Sequence, residues 1–162
     1  MTERARDPQM IAGAVYGTIV TMGAIAAGAQ GDTISAGEVA GIVAGTVIVL
    51  WIAHVYSHSL AETIVRGRRL DRAELTSVAR RELAMPIAAV APVASLALGA
   101  VGVLSDSAAG WLAMGCGLAT LALAGIRYAA VERLGLLPTA FTVAVNLALG
   151  LVIVGLKAGL SH

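Results

Sequence analysis

Hydrophobic positions in this chain come in long blocks broken by short polar segments, not in the alternation of a half-buried strand or the stripe of a soluble amphipathic helix. The blocks cover 10–29, 39–65, 83–104, 111–131 and 138–156. Crossing a hydrocarbon layer of about 30 Å takes about 20 apolar residues in a helix. The pattern therefore predicts an all-α polytopic membrane protein, a single domain over 1–162 with five transmembrane helices. Between the second and third blocks the pattern changes. Leu70, Leu75, Val78 and Leu83 interleave with Arg72, Glu74, Arg80 and Arg81, which predicts an interfacial helix over 70–82. Pro8 and Pro138 stand where helices start, and Pro86 and Pro92 are expected to bend the third span. The rival to a retained first span is a cleaved signal peptide, since Ala27 and Ala29 precede Gln30. That apolar block, about twenty residues, exceeds the ~7–15 residues of a signal core and carries Tyr16, Thr18 and Thr21, so it is read as a span.

Composition agrees. The chain is 58% hydrophobic and 13% charged, with 19 glycines among 162 residues. Soluble domains carry about 25% charged residues. The lone Cys116 excludes an intrachain disulfide. Nucleic acid is not an expected partner, because the arginines lie beside spans without interleaved aromatics. The partners expected are the lipid bilayer and a second copy of the chain, through the small-residue faces GAVYG (13–17) and GIVAG (41–45).

Charge placement is more informative than the net +1. With five crossings, Arg4, Arg6, Arg66, Arg68, Arg69, Arg72, Arg80, Arg81, Arg127 and Arg133 all fall at one end, against Lys157 at the other. The positive-inside rule then predicts a cytoplasmic N-terminus and an external C-terminus, in a plasma membrane or, for a bacterium, the inner membrane.

The second block carries the candidate chemistry. VAGIVAGTVIVLWIA (39–53) runs without a proline into HVYSHSLAETIV and RGRR, so one helix longer than the bilayer is expected. His54, His58 and Glu62 follow at i, i+4 and i+8, a spacing that places them on one stripe about 12 Å long. Two imidazoles and a carboxylate suit a borderline divalent metal or a proton relay near neutral pH. The same topology places Tyr16, Thr18, Thr21, Arg127, Tyr128, Thr142 and Asn146 in the inner half of the bilayer, as lining of a cavity open to the cytoplasm. The plainer alternative has the second helix leaving the membrane near Val55, with His58 and Glu62 in water, Tyr16 and Asn146 in interhelical hydrogen bonds and Arg127 at the headgroups.

In the order of its spans and its glycine-rich first two helices the chain resembles the vacuolar iron transporter family. The resemblance is densest in GAVYGTIVTMGAIAAG (13–28) and AGIVAGTVIVLWIAHVYS (40–57). It implies five spans, a cytosolic N-terminus, a long second helix entering a metal-binding insertion, and a two-fold dimer. Gly13, Ala14, Gly17 and Thr21 agree with the family's opening motif. The family's helix-1 aspartate is matched by Tyr16, its helix-2 methionine by Leu50 and its helix-2 glutamate by His54. Its carboxylate-rich insertion is reduced to Asp71, Glu74 and Glu82 among arginines.

Two functions follow as expectations. One is proton-coupled transport of a divalent transition metal, as substrate rather than cofactor, through His54, His58 and Glu62. The other is a non-transporting assembly or regulatory subunit. Catalysis is not expected, because no nucleophile beside a base is visible and HExxH is absent.

Overall fold

The longest helix starts where Ser35 meets Glu38. The Ser35 hydroxyl accepts from the Glu38 N–H at 3.3 Å, and the Glu38 carboxylate accepts from the Ser35 N–H at 2.9 Å. This reciprocal cap satisfies two donors that would otherwise lack partners. The helix then runs unbroken to Arg66 and ends at Gly67, whose φ of 64° favours glycine. In the computed structural model, which describes residues 6–28 and 34–160, the elements are α1 (Arg6–Gly28), α2 (Ala36–Arg66), α3 (Arg72–Arg81), α4 (Ala84–Ala100), α5 (Asp106–Val131) and α6 (Leu136–Leu160). The described residues include no strand. The expected all-helical class is met. Arg4, Ala29 and Gln30 lie outside the described residues.

Four helices are long and apolar enough to cross a membrane: α1, α2, α5 and α6. A fifth span is counted if α3 and α4, bent by 48° at Glu82–Leu83, are taken together. The break falls before both prolines. Pro86 lies in the first turn of α4, where its missing N–H lacks a helical partner anyway, and Pro92 is buried within that helix. Helix α5 begins at Asp106 rather than 111, because the Ser105 hydroxyl accepts from the Ala108 N–H at 3.2 Å and caps it.

Small residues set the packing. Helix α1 lies at the centre and packs against α2, α4, α5 and α6. Its Gly17 meets α4 so closely that an added Cβ would sit 2.6 Å from the Met85 carbonyl oxygen. Gly13 faces Ala84 in the same seam, so GAVYG joins two helices of one chain, whereas Gly41 and Gly45 face open space. Met22, Ile25, Val43, Leu96, Met114 and Leu121 fill the core. Helix α2 buries Ala36, Val39, Val43 and Val47 and exposes Ile48, Val49 and Ile52 on the opposite face. Such apolar exposure is the mark of a surface that meets lipid.

Successive long helices alternate in direction, so the described arginines collect at one end. There Met10 of α1, Arg80 of α3 and Arg127 of α5 border one groove. At the other end the Ala36 N–H donates to the Asp106 carboxylate at 3.1 Å, Gly99 is wedged between Ala36 and Ala109, and the Lys157 ammonium lies 5.2 Å from the Trp111 ring centroid.

Candidate functional site: a polar latch between α2 and α3

One face of α2 is in contact with protein along most of its length, and its chemistry changes on the way. At steps of three and four residues, Val39, Val43 and Val47 give way to Trp51, His54, His58 and Glu62. The apolar half packs in the core. The polar half meets Tyr16 of α1, the helix α3 and the turn that follows it.

Each member of the stripe has a different neighbour. The Trp51 indole N–H donates to the Ala79 carbonyl at 3.4 Å. His54 Nδ1 lies 3.1 Å from the Leu50 carbonyl, and since a carbonyl only accepts, Nδ1 is the donor. The His54 ring is 5.0 Å from the Tyr16 ring, tilted by 48°, and 6.2 Å from the His58 ring. His58 Nδ1 pairs with the Glu82 carboxylate at 2.9 Å. Glu62 is held on both oxygens, by Arg66 at 2.9 Å and by Arg81 at 3.3 Å.

The network extends to Glu74 near the start of α3. Arg68 donates to its two oxygens at 2.7 and 2.9 Å, and Arg66 and the Asp71 N–H donate as well. Asp71 in turn accepts from the Glu74 N–H at 2.8 Å, completing a second reciprocal cap. The Arg68 guanidinium and the Asp71 N–H hold the Glu74 carboxyl down to about 2, well below the usual carboxylate range, so it stays ionised at any physiological pH. The same pairing pushes Arg68 further up.

This arrangement fastens α3 across the end of α2. The spacing argument put His54, His58 and Glu62 on one face, and they share it. What the spacing left out are the groups that engage them, Arg81, Glu82 and the Ala79 carbonyl, all within the segment read from sequence as an interfacial helix. Its content of charge opposite to Glu62 and His58 was the available signal. Among the described residues, no three of His, Cys, Asp and Glu converge as a metal-binding group.

The proposed cavity-lining residues are dispersed. Thr18 and Thr21 are fully buried, with hydroxyls donating at 2.7 Å to the Ala14 and Gly17 carbonyls of their own helix. Thr142 likewise donates to the Pro138 carbonyl at 3.0 Å. The Asn146 amide abuts Gly125 in the α5–α6 seam, and Tyr128 is exposed. Arg127 borders the groove between α1, α4 and α5. Of this set only Tyr16 joins the stripe, because α6 packs against α5 and α1 while α2 packs chiefly against α4, α1 and α3. Equal depth in a bilayer does not make two helices neighbours. Comparison with protein-family models, with curated proteins and with solved structures finds no match to this chain.

Proposed function

We propose that this chain is a five-span membrane protein with its arginine-rich end in the cytoplasm, acting as a non-transporting assembly or regulatory subunit whose α2–α3 latch forms a fixed cytoplasmic platform. The observation that carries this reading is Glu62 held between Arg66 and Arg81. A carboxylate already neutralised by two guanidinium groups is a poor ligand for a dehydrating cation, and the nearby positive charge opposes cation entry. Above the latch the same face of α2 continues as the buried Val39, Val43 and Val47.

In this reading α4 is the third span. Its 17 residues reach about 26 Å at ~1.5 Å per residue, close to the hydrocarbon thickness, and α3 lies outside the membrane at the surface. The arginine bias supports the orientation. A two-fold dimer would use Gly41 and Gly45, since Gly13 and Gly17 already serve α4. Single cysteines in a Cys116→Ser background test the topology. Val103→Cys should react with an impermeant maleimide in intact cells, and Gly135→Cys only after lysis; the reverse pattern would invert the protein.

Proton-coupled transport of a divalent metal is the second reading, favoured by one observation. His54 lies against Tyr16 and within 6.2 Å of His58, and its Nε2 makes no hydrogen bond among the described residues. Proteoliposome uptake separates the readings. We expect no uptake of Fe²⁺, Mn²⁺, Zn²⁺ or protons above empty vesicles. Uptake that His54→Ala abolishes, in a variant that still inserts and folds, would replace the subunit reading with transport.

A further inference from the structure

Consecutive residues on a helix point about 100° apart, and on α3 this separates two arginines by task. Arg81 turns to Glu62 and closes the latch. Arg80 borders two adjoining concavities, the first of which Arg81 also lines and the second of which it does not. The first is of mixed character, about 520 Å³, and includes Gln9, Thr76 and Ser77 beside Met10 and Ala73. The second is a largely apolar groove of about 660 Å³ between α1, α4 and α5, with Ile11, Ile87, Leu123 and Val131 in its wall. Met10 and Arg80 belong to both, so the two are continuous. Arg127 enters the groove from α5, between Leu123 and Val131 one turn to either side.

Neither the Arg80 nor the Arg127 side chain has an ion pair or hydrogen bond among the described residues, although the arginines of the latch are paired. Two exposed, unneutralised guanidinium groups bordering one apolar groove at the membrane surface attract an anionic headgroup. Guanidinium forks match phosphate oxygens in pairs. The combined shape, a mixed polar and apolar mouth leading to an apolar trough, suits an amphiphile, and the trough alone falls within the ~300–1,000 Å³ usual for small-molecule sites.

We propose that this groove binds one anionic phospholipid of the surrounding leaflet, its phosphate between Arg80 and Arg127 and an acyl chain along Ile11, Ile87 and Leu123. The site adjoins the latch at Arg81 but does not depend on whether the protein transports anything. Basic pockets between membrane helices recognise anionic headgroups, with about 1 kcal/mol for each arginine near the surface, so removing both should weaken binding on the order of thirtyfold.

The test is native mass spectrometry of the full-length protein in detergent, titrated with phosphatidylglycerol or phosphatidylcholine. Wild type should retain one phosphatidylglycerol and release phosphatidylcholine, and R80A/R127A should lose the retained lipid. R69A/R72A, which removes two exposed arginines outside the groove, should keep it. Leu123→Trp, which fills the trough without altering charge, should expel the lipid as well, and keeps the test decisive if the double variant misfolds. Millimolar glycerol phosphate should not compete, because it lacks the chain. Equal retention of both lipids, full competition by glycerol phosphate or unchanged binding in Leu123→Trp would each overturn the proposal, pointing respectively to annular lipid, a plain phosphate site or headgroup contact at the surface.

Discussion

Replacing Gly17 with alanine will destabilise the bundle by about 1–3 kcal/mol, the range for overpacking a close-packed interior, whereas the same change at Gly23 will be neutral or slightly stabilising. A Cβ at Gly17 would stand 2.6 Å from the Met85 carbonyl oxygen and 2.8 Å from the Met85 Cα. Those are backbone atoms of α4, so no rotamer change relieves the contact and the two helices must separate. At Gly23 nothing lies within 4 Å, and alanine is the better helix former. Because α1 packs against all five other helices, the damage is not confined to one contact. Thermal unfolding in detergent, followed by the fluorescence of Trp51 and Trp111, measures the difference. Equal transitions for the two variants would mean that the α1–α4 approach is looser than 2.6 Å implies.

Met22→Ala is expected to cost about 2 kcal/mol, with Met22→Leu below about 1.5 kcal/mol. Met22 is fully buried, and its side chain occupies space that a Cβ on Gly117 of α5 would claim at 2.6 Å. The Met22 methyl also reaches to 3.8 Å from the Cβ position of Gly150 on α6. Met22 is thus a knob in a hole formed by two glycines on two helices. In a soluble core, truncating a methionine to alanine costs about 2–5 kcal/mol, part of it the transfer of apolar surface from water. A lipid-facing reference removes most of that transfer part, since acyl chains are as apolar as the core, and leaves the cavity. The estimate therefore sits at the low end. Chemical denaturation in mixed micelles gives the value, with the exposed Leu151→Ala as reference; a Met22→Ala shift no larger than the reference would show that the hole collapses around the missing side chain. Gly117→Ala should be milder than Gly17→Ala, because the neighbour it meets is the flexible Met22 thioether rather than backbone.

Hydropathy and period are properties of one helix at a time, and they were legible. The length and apolarity of 39–65 follow from what a bilayer requires, and α2 runs from Ala36 to Arg66 without a break. The placement of His54, His58 and Glu62 on one face needed only the 3.6-residue turn. The interleaved charges after Leu70 marked a short amphipathic helix, and the helix observed runs from Arg72 to Arg81. The capping pairs at Ser35 and Asp71 are local as well, since each lies within four residues of chain.

Which helix faces which is not a local property, and only the tertiary structure decided it. Asn146 and Tyr16 could be given similar depth from sequence, yet one sits beside Gly125 and the other beside His54, because α6 packs on α5 while α2 packs on α1. The engagement of Glu62 by Arg81, 19 residues away, depends on the turn after Gly67 bringing α3 back against α2. Arg80, its neighbour in sequence, faces the groove instead. The glycines divide in the same way: GAVYG and GIVAG look alike in sequence, but one is closed against Met85 and the other is open. A helix carries its own periodicity, whereas the partner of each face is set by how five or six such cylinders, with small residues in different places, come closest to filling the space between them.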